Sequence, residues 1–546
     1  MSTRWDRSAV ALLTLSSALA LSPRARAWSK AGTTYTTDGS QADVTDAANN
    51  ASPADTVLIP EGTFIWGTQN DNGASYFPVA VTLQGAGPDK TIIKIADGAP
   101  TYTTAIINLY APVVVRDFTV IQGGNANTTA FSTGLSGAND STGWRITNIV
   151  YDSAPTAGYF AYAGTYGLID GCTLNAGSGS DELIFSRGPA SSWQTASSLG
   201  TADAVYIEDC TFNNAGYVSD FNSNARGVVR FSTINGEMKI DAHGVASNTP
   251  PRGARQVEVY GNHWTQTMGY FAAIELRGGT GVVFDNIGDN AQGDWFFLTD
   301  YGYLGQWPNF NNVFQTPKDY PIADQIGVGM DPKAAASEPY YVWSNLRAGA
   351  PWERSLKTPA DGAIALYNQQ ASTDTGFTEP DLVKADRDFF WQGDTFDGSS
   401  GVGRGTTAQM NAIKPTKVGV GFWVTDQSSW NKTLPANTSG QLYVWNGTAW
   451  ALEYTPYTYP HPLRHIPSEG SGGGGSGGGG GGTGGAASGT ASAGGSGASA
   501  GSTGGCGCRT TPSAPMKGAG LSLLLVLLWR RRWTRRSGGE EKPLRG

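Results

Sequence analysis

The chain has 546 residues, 75 of them glycine, and 11% aromatic residues, which is enough for a large buried core. Its formal net charge is −8, but residues 1–27 carry +3 and residues 530–546 carry +5, which leaves −16 for the middle. A body this acidic lacks the basic surface that nucleic acids require, so nucleic-acid binding is excluded. The acidic balance also weakens, without excluding, the case for a polyanionic substrate. The four cysteines have no spacing typical of a zinc site.

Residues 1–27 predict a secretory signal peptide. Arg4 and Arg7 precede the apolar run 9–21, and Ala25-Arg26-Ala27 supplies a small–x–small cleavage pattern. The apolar run is too short and too rich in serine for a membrane span. We therefore expect an exported protein whose mature chain begins near Trp28.

Segment 40–95 contains a short helical pattern at 43–50, followed by the motifs DTVLIPEGTF and VTLQGAGPDKTII. A helix here would close the open end of a stack of strands, which needs a polar cap. The two motifs resemble the opening coils of secreted right-handed β-helix proteins of the pectate-lyase-like superfamily. With the repeats that follow, this resemblance covers roughly residues 40–300. It implies an architecture and not one reaction, because that superfamily includes lyases, hydrolases and phage tailspikes.

From Val113 to Asn290 one short β-rich unit recurs and closes each time on Asn, Gly or Asp. This first set comprises VVVRDFTVIQGG, WRITNIVYDSA, YGLIDGCTLNAG, AVYIEDCTFNNA, GVVRFSTING, QVEVYGNHWTQ and GVVFDNIGDN. A second set alternates with it: DELIFSR (181–187), VSDFNSN (218–224), EMKIDAH (237–243), FAAIELR (271–277) and WFFLTD (295–300). Such short strands cannot bury an apolar face alone, but a stack of them can. We predict an all-β, right-handed parallel β-helix over residues 28–300, in which each set forms one wall.

An antiparallel β-sandwich or propeller is the alternative, because these folds also contain many short strands. The closing turns lack the Asn-Gly or Asp-Gly signal of two-residue hairpins, which favours the solenoid. Cys172 and Cys210 occupy the same place in the copies IDGCTL and IEDCTF. They either stack as buried side chains, which we favour, or form a disulfide.

Beyond residue 300 the period fades. Residues 301–384 are rich in Pro, Trp and Tyr and predict a loop or flank segment, either core beneath an insertion or a surface for sugar rings. Residues 385–468 are ordered again, and QLYVWNGTAWALEY predicts a hairpin that turns at Asn446-Gly447. This segment resembles the closing part of exported β-helix proteins. We interpret it as a C-terminal β-rich cap, with His461 and His465 as capping residues and not catalysts.

Residues 469–505 form a Gly/Ser tether. Cys506 and Cys508 follow, then an apolar helix predicted over 518–529, then an arginine cluster. About a dozen apolar residues fall short of the roughly 20 that span a bilayer. This order over residues 506–546 resembles the myxobacterial sorting tail of the MYXO-CTERM type. The resemblance implies cleavage near Cys506 or Cys508 and display at the cell surface; a simple tail anchor would give almost the same membrane topology.

The second set of runs supplies the candidate site, because residues i, i+2 and i+4 of a strand share a face. If Met238, Ile240 and Ala242 point into the coil, their neighbours in EMKIDAH point outward. We predict a charged strip across three adjacent coils. Its catalytic candidates are Lys239, Asp241, His243, Glu275 and Arg277, and its substrate-binding candidates are Asp220, Asn222 and Asp300. The facing of Glu208, Asp209, Arg226 and Arg230 is not fixed by the pattern.

Such a strip suits an extended extracellular polysaccharide. A lyase would use His243 or Lys239 as its base, with Arg277, or a Ca²⁺ ion held by Asp241 and Glu275, to neutralise the uronate carboxylate. A glycoside hydrolase would draw two carboxylates from Asp220, Asp241 and Glu275. The sequence patterns of polygalacturonase-like hydrolases and of pectate lyases are not matched. We expect a monomeric, surface-displayed polysaccharide lyase or hydrolase; the alternative is a non-catalytic β-helix that binds glycans, whose charges only keep it soluble.

Overall fold

The computed structural model describes residues 27–68, 74–97, 99, 105–123, 128–134, 142–153, 158–177, 182–244, 253–265, 273–289, 296–298, 326–329, 336–351, 384–436 and 438–465. Asp300, Cys506, Cys508, the tether, the tail and nearly all of the signal peptide lie outside these residues. The predicted domain boundaries therefore stay predictions. Within the described ranges, no helix has both the length and the apolar character needed to cross a membrane.

The described chain winds into a right-handed parallel β-helix, as predicted, and the antiparallel alternative is wrong. Successive coils pair in parallel, for example Gln256–Tyr260 with Thr280–Phe284. The helix has three walls. The first wall contains Thr34–Thr36, Thr56–Leu58, Thr82–Gln84, the start of Val114–Ile121 and of Trp144–Asp152, Gly167–Asp170, Val205–Glu208, Arg226–Arg230, Gln256–Tyr260, Thr280–Phe284, Tyr340–Trp343 and Phe389–Trp391.

The other two walls are built in the same way. The second contains Gly62–Trp66, Thr91–Ile95, the ends of Val114–Ile121 and Trp144–Asp152, Thr173–Asn175, the starts of Thr211–Phe221 and Thr233–Ala242, His263–Trp264, Ile287–Gly288 and Leu346–Arg347. The third contains Ser75–Phe77, Ile107–Leu109, Thr129–Ser132, Tyr159–Ala163, Glu182–Ser186, the ends of Thr211–Phe221 and Thr233–Ala242, Ile274–Leu276 and Phe296–Leu298. Short antiparallel pairs join Ser29–Ala31 to Thr34–Thr36, Val328–Gly329 to Ala336–Ser337, and Leu346–Arg347 to Ala350–Pro351.

The first set of repeats forms two walls and not the single wall that we predicted. Each copy bends at one residue in the left-handed region of the backbone map, with φ between 51° and 69°. The register places these residues in one row along the helix, the bend row: Asp117, Asn148, Gly171, Asp209, Phe231, Gly261, Asp285 and Ser344. Gly, Asn and Asp adopt this conformation at the lowest cost, which explains why most copies carry one of them at the bend.

The interior of the helix is filled by stacked apolar side chains and by asparagine ladders. The side-chain amide of Asn286 donates to the Oδ1 atom of Asn345 at 2.8 Å and its own Oδ1 accepts from the amide of Asn262 at 3.1 Å. Cys172 and Cys210 are buried in adjacent coils as free thiols, as we favoured. Because buried amides are satisfied by the neighbouring coil, each coil fixes the register of the next.

The N-terminal helix predicted at 43–50 is present as Gln41–Asn50. The Ser40 side chain accepts a hydrogen bond from the backbone N–H of Asp43 and caps its first turn. Val44, Ala47 and Ala48 join the main apolar core. The helix thus contributes its apolar face to the first coils of the stack.

The C-terminal segment is β-rich, as predicted, and it packs on the flank of the first wall. Its four-stranded sheet comprises Val402–Gly405, Gly421–Val424, Gln441–Trp445 and Trp450–Tyr454, with the helix Thr407–Ala412 and the predicted hairpin at 441–454. The outer face of the first wall carries a stack in which the Phe284 ring lies 4.6 Å from Tyr260 and 4.5 Å from Trp343. The sheet covers this apolar stack through Trp423, 5.1 Å from Phe284. Without the C-terminal sheet, the aromatic stack of the first wall would be exposed to water. Burying this apolar surface explains why the sheet packs on the flank.

Residues 457–465 lie along the same wall and end in the 3₁₀ turn Pro462–His465. Arg230 pairs with Glu208 and donates to the backbone oxygens of Tyr457 and Thr458. Glu208 also accepts from the backbone N–H of His461 at 3.1 Å. The sequence left open where Glu208, Asp209, Arg226 and Arg230 face. Glu208, Asp209 and Arg230 hold this C-terminal strap, whereas Arg226 donates to Ser192 and Thr195.

Candidate functional site

The strand register assembles the predicted charged strip on the third wall. Asp220 lies opposite Asp241, and Asp241 lies opposite Glu275 on the next coil. The sequence neighbours of Asp241 and Glu275 point the other way: Ile240, Ala242 and Leu276 belong to the apolar core. The alternation between inward and outward side chains is therefore as predicted. A register shift between Tyr217 and Ser219 contributes to this alignment, because it moves Asp220 into line with Asp241.

The strip is buried, and this corrects the expectation that its charges are exposed to keep the protein soluble. Relative exposure is 3% for Lys239, 0% for Asp241, 2% for Glu275, 9% for Arg277 and 4% for Asp220. Burying charges costs several kcal/mol for each ion unless partners compensate. A solubilising role is therefore wrong for these residues, and their mutual contacts explain how they are tolerated.

Two cations compensate the buried carboxylates. The Arg277 guanidinium donates to both oxygens of Asp241, at 3.0 Å from Nε to Oδ1. The Lys239 ammonium contacts Glu275 and lies 3.4 Å from Asp241 Oδ2 and 4.3 Å from the centre of the Tyr217 ring. Burial opposes ionisation of Asp241, but Arg277 and Lys239 outweigh it and lower the pKa of this carboxyl. Asp241 is ionised at neutral pH.

The same contacts decide the role of Lys239. Burial alone would lower its pKa, but Asp241 and Glu275 raise the pKa well above the ordinary value. Lys239 keeps its proton and is unsuited to be the base of a lyase. A Ca²⁺ ion at Asp241 and Glu275 would have to displace Arg277 and Lys239. Across the described ranges there is no group of three or more His, Cys, Asp and Glu side chains arranged to hold a metal ion.

Asp220 differs from Asp241 both in its partners and in the direction of its pKa shift. No basic side chain of the described chain forms an ion pair with it, and its contact within the strip is a 3.4 Å hydrogen bond from the Asn222 amide to Oδ2. Its Oδ1 atom is buried without a hydrogen-bond partner among the described residues. Burial, followed by the charges of Asp241 and Glu182, raises the pKa of Asp220 well above its usual value. Of the two carboxyls, Asp220 is therefore the one that keeps its proton to higher pH.

His243 lies at the end of the strip and is half-buried. Its Nδ1 atom is 2.8 Å from the backbone oxygen of Gly244, which can only accept, so Nδ1 carries the hydrogen and Nε2 the lone pair. Burial and the charge of Arg277 lower its pKa to about 4. His243 is consequently neutral near pH 7 but only weakly basic, which makes it a poor proton acceptor.

The structure adds an aromatic group that the sequence analysis did not identify. Tyr162 and Phe185 continue the row of Asp220 and Asp241 toward the N-terminus, and their half-buried rings are 5.0 Å apart. Arg187 is exposed, and its guanidinium carbon lies 5.3 Å from the centre of each ring. The run Tyr159–Ala163 precedes Glu182–Ser186 by one coil, so the same alternation rule would have found it.

Comparisons with known proteins were made for the whole chain. No protein-family model matches it, and no curated protein matches it. Solved structures that resemble it include a pectin methylesterase from carrot, with 13% sequence identity and a TM-score of 0.29 over 47% of this chain and 82% of that one. An alginate lyase from Paenibacillus sp. str. FPU-7 has 11% identity and a TM-score of 0.27 over 48% of this chain and 97% of that one. These likenesses do not bear on the chemistry of the strip.

Proposed function

We propose that the chain is an exported polysaccharide hydrolase that uses Asp220 as its general acid and Asp241 as its nucleophile. The observation that carries this proposal is the in-register pair on adjacent coils, in which the pKa of Asp220 is raised and the pKa of Asp241 is lowered. Adjacent coils are about 4.8 Å apart. Retaining glycosidases place their two carboxyl groups about 5–5.5 Å apart. The in-register placement on adjacent coils and the opposite pKa shifts of the two carboxyls support a double-displacement mechanism.

The two carboxyls have complementary tasks in that mechanism. Asp241 is 0% exposed and accepts from Arg277 through both oxygens, so the mechanism requires one oxygen to leave Arg277 when the substrate binds. That oxygen attacks the sugar carbon and forms a covalent intermediate, while Asp220 gives its proton to the departing oxygen. Asp220 then accepts a proton from the water that releases the sugar. The orphaned Oδ1 atom of Asp220 fits this role, because it has no partner in the described chain that would hold its proton away from the substrate.

Tyr162, Phe185 and Arg187 would bind the polysaccharide beside the carboxyl pair. Phe185 lies between Tyr162 and Asp220 in the row, so both rings are on the same face as the acid. The half-buried rings offer apolar surface for the faces of sugars, and the exposed guanidinium of Arg187 offers donors for hydroxyl or carboxylate groups.

The test is hydrolysis of a polysaccharide panel by the purified protein and by its Asp220→Asn and Asp241→Asn variants. We expect new reducing ends from at least one polysaccharide, a loss of more than a hundredfold in rate for either variant, and no absorbance near 235 nm from unsaturated products. Asp89→Asn, an exposed aspartate on a distant loop, is the matched control and should retain full activity.

Other products would redirect the proposal. Unsaturated products would show a lyase and return His243 as the base. Release of methanol or acetate without reducing ends would show that the pair attacks an ester substituent of the polysaccharide. Activity that survives both substitutions would place the reaction elsewhere on the molecule.

A non-catalytic glycan-binding protein is the second candidate, and one observation favours it. The buried charges of the strip are paired with one another: Lys239 and Arg277 each contact Asp241 and Glu275. A ladder of ion pairs with a purely structural role would have the same contacts. This reading predicts sugar binding without any product. Both readings share our proposal that the sorting tail displays the protein at the cell surface, which protease shaving of intact cells followed by fractionation would test.

A further inference from the structure

A recess of about 240 Å³ opens on the flank of the β-helix, on the first wall and not on the third wall that carries the carboxyl pair. Coil residues Phe231, Tyr260 and Asp285 line one side of it, and Arg404, Trp423 and Trp430 from the C-terminal segment line the other. The recess exists only because the C-terminal sheet lies on the flank. It is referred to below as the flank recess.

The walls of the flank recess are largely aromatic. The rings of Phe231 and Trp430 are stacked 6.3 Å apart with an angle of 22° between their planes. Trp423 and Trp430 are themselves buried against the coil, so their positions are fixed. Small-molecule sites in proteins typically combine such preformed aromatic surfaces with a few polar groups.

The charged groups of the flank recess are Asp285 and Arg404, and Thr425, Asn431, Thr438 and Ser439 add uncharged polar groups. Both charged side chains are accessible to water, and within the described chain neither has a hydrogen-bond or ion-pair partner. Neighbouring protein atoms raise the pKa of Asp285 to about 6, although Arg404 lowers it. Asp285 thus lines the recess and stays accessible to water.

The backbone at Phe231 gives an independent indication. All the other residues of the bend row are Gly, Asp, Asn or Ser, whereas Phe231 adopts φ 53° with a bulky aromatic side chain. A residue of this kind costs about 1–2 kcal/mol in the left-handed region, and such strain concentrates at ligand sites. Its neighbour in the row is Gly261, where an added Cβ would lie 2.7 Å from the Phe231 ring. The Phe231 ring occupies the space that glycine leaves and faces the recess.

We propose that the flank recess is a second carbohydrate-binding site that holds a neutral sugar residue of a polysaccharide chain. The half-buried ring of Phe231 would contact the apolar face of the sugar, and the buried Trp423 and Trp430 would fix the position of this ring. The carboxylate of Asp285 accepts hydrogen bonds from sugar hydroxyls, and the guanidinium of Arg404 donates to them in its fork geometry. One charge of each sign gives no net attraction for an anion or a cation. The site goes beyond the proposed hydrolysis, because it requires no reaction.

The test is a titration of the full protein with neutral oligosaccharides of glucose, xylose, mannose and galactose, followed by tryptophan fluorescence and by calorimetry. Trp423 and Trp430 line the recess, so binding should change the fluorescence. We expect at least one oligosaccharide to bind, and Asp285→Asn and Arg404→Gln each to weaken it at least tenfold. Asn suits the left-handed backbone at position 285, so the turn should survive. Asp89→Asn is again the matched control and should bind as the unaltered protein does.

Repeating the titration with Asp241→Asn separates this site from the carboxyl pair. Unchanged binding in that variant would support the flank recess whether or not the protein hydrolyses anything. The inference is overturned if no neutral oligosaccharide binds, or if both recess variants bind as tightly as the unaltered protein while their melting temperatures are unchanged.

Discussion

Asp220 and Asp241 show how position alone separates two identical side chains. They lie on adjacent strands, both outside the coil and both buried. Arg277 and Lys239 reach Asp241, whereas Asp220 has the Asn222 amide and the repulsion of Asp241 itself. Two like charges this close cannot both ionise easily, so the cations select the one that does. An assignment of acid and nucleophile follows from the contacts without reference to any other protein.

The protonation states predict a bell-shaped dependence of kcat/KM on pH. Asp220 must be protonated, and its raised pKa sets the limb on which activity falls as pH rises. Asp241 must be ionised, and its lowered pKa sets the limb on which activity falls as pH drops. Arg277→Gln removes a charge that lowers the pKa of Asp241, so we expect the acid limb to move to higher pH.

A pH–rate profile of the two proteins tests this. Lys417→Gln is the control, because this exposed cation lies on the C-terminal segment and not beside the carboxyl pair. Breaking the buried pair should also cost Arg277→Gln about 3–5 kcal/mol of stability, so profiles must be recorded where it remains folded. An acid limb that stays in place in a folded Arg277→Gln protein would mean that another group controls it.

The bend row makes a prediction for the coil as a structural element. Gly171 and Gly261 occupy equivalent bends, with φ 59° and 69°. An added Cβ at Gly171 meets nothing within 4 Å, whereas at Gly261 it lies 2.7 Å from the Phe231 ring. Gly171→Ala should therefore lower the free energy of unfolding only by the cost of a left-handed backbone, about 1–2 kcal/mol. Gly261→Ala should cost more, because the ring must also move; equal melting temperatures would show that Phe231 yields freely.

The coils also show what the sequence could and could not reveal. The period of the second set placed Asp220, Asp241 and Glu275 in one row, because alternation along a strand depends only on neighbouring residues. Burial of that row could not be predicted, since it depends on residues distant in sequence. The split of the first set into two walls was missed because its signal is a single residue in each copy, and in one copy that residue is Phe231.

At the level of the whole chain, the charges have two different uses. On the third wall they are arranged around Asp220, a carboxyl of raised pKa that forms no ion pair with the described residues. On the first wall the side chains of Glu208, Asp209 and Arg230 form hydrogen bonds with the strap at 457–465. The same residue types therefore look equally functional in the sequence, and only their partners distinguish a candidate site from an attachment.

The strap should stabilise the molecule through Arg464. This side chain contacts three carboxylates of the first wall, those of Asp170, Glu208 and Asp209. Charge-assisted hydrogen bonds contribute about 1.5–3 kcal/mol each, so Arg464→Met should lower the free energy of unfolding by at least about 2 kcal/mol. Lys417→Met, an exposed cation on the C-terminal segment, should leave it unchanged. Urea unfolding followed by circular dichroism measures both. If the two variants unfold together with the unaltered protein, the strap is held by its aromatic contacts, chiefly the packing of His461 and Tyr457 on Tyr206.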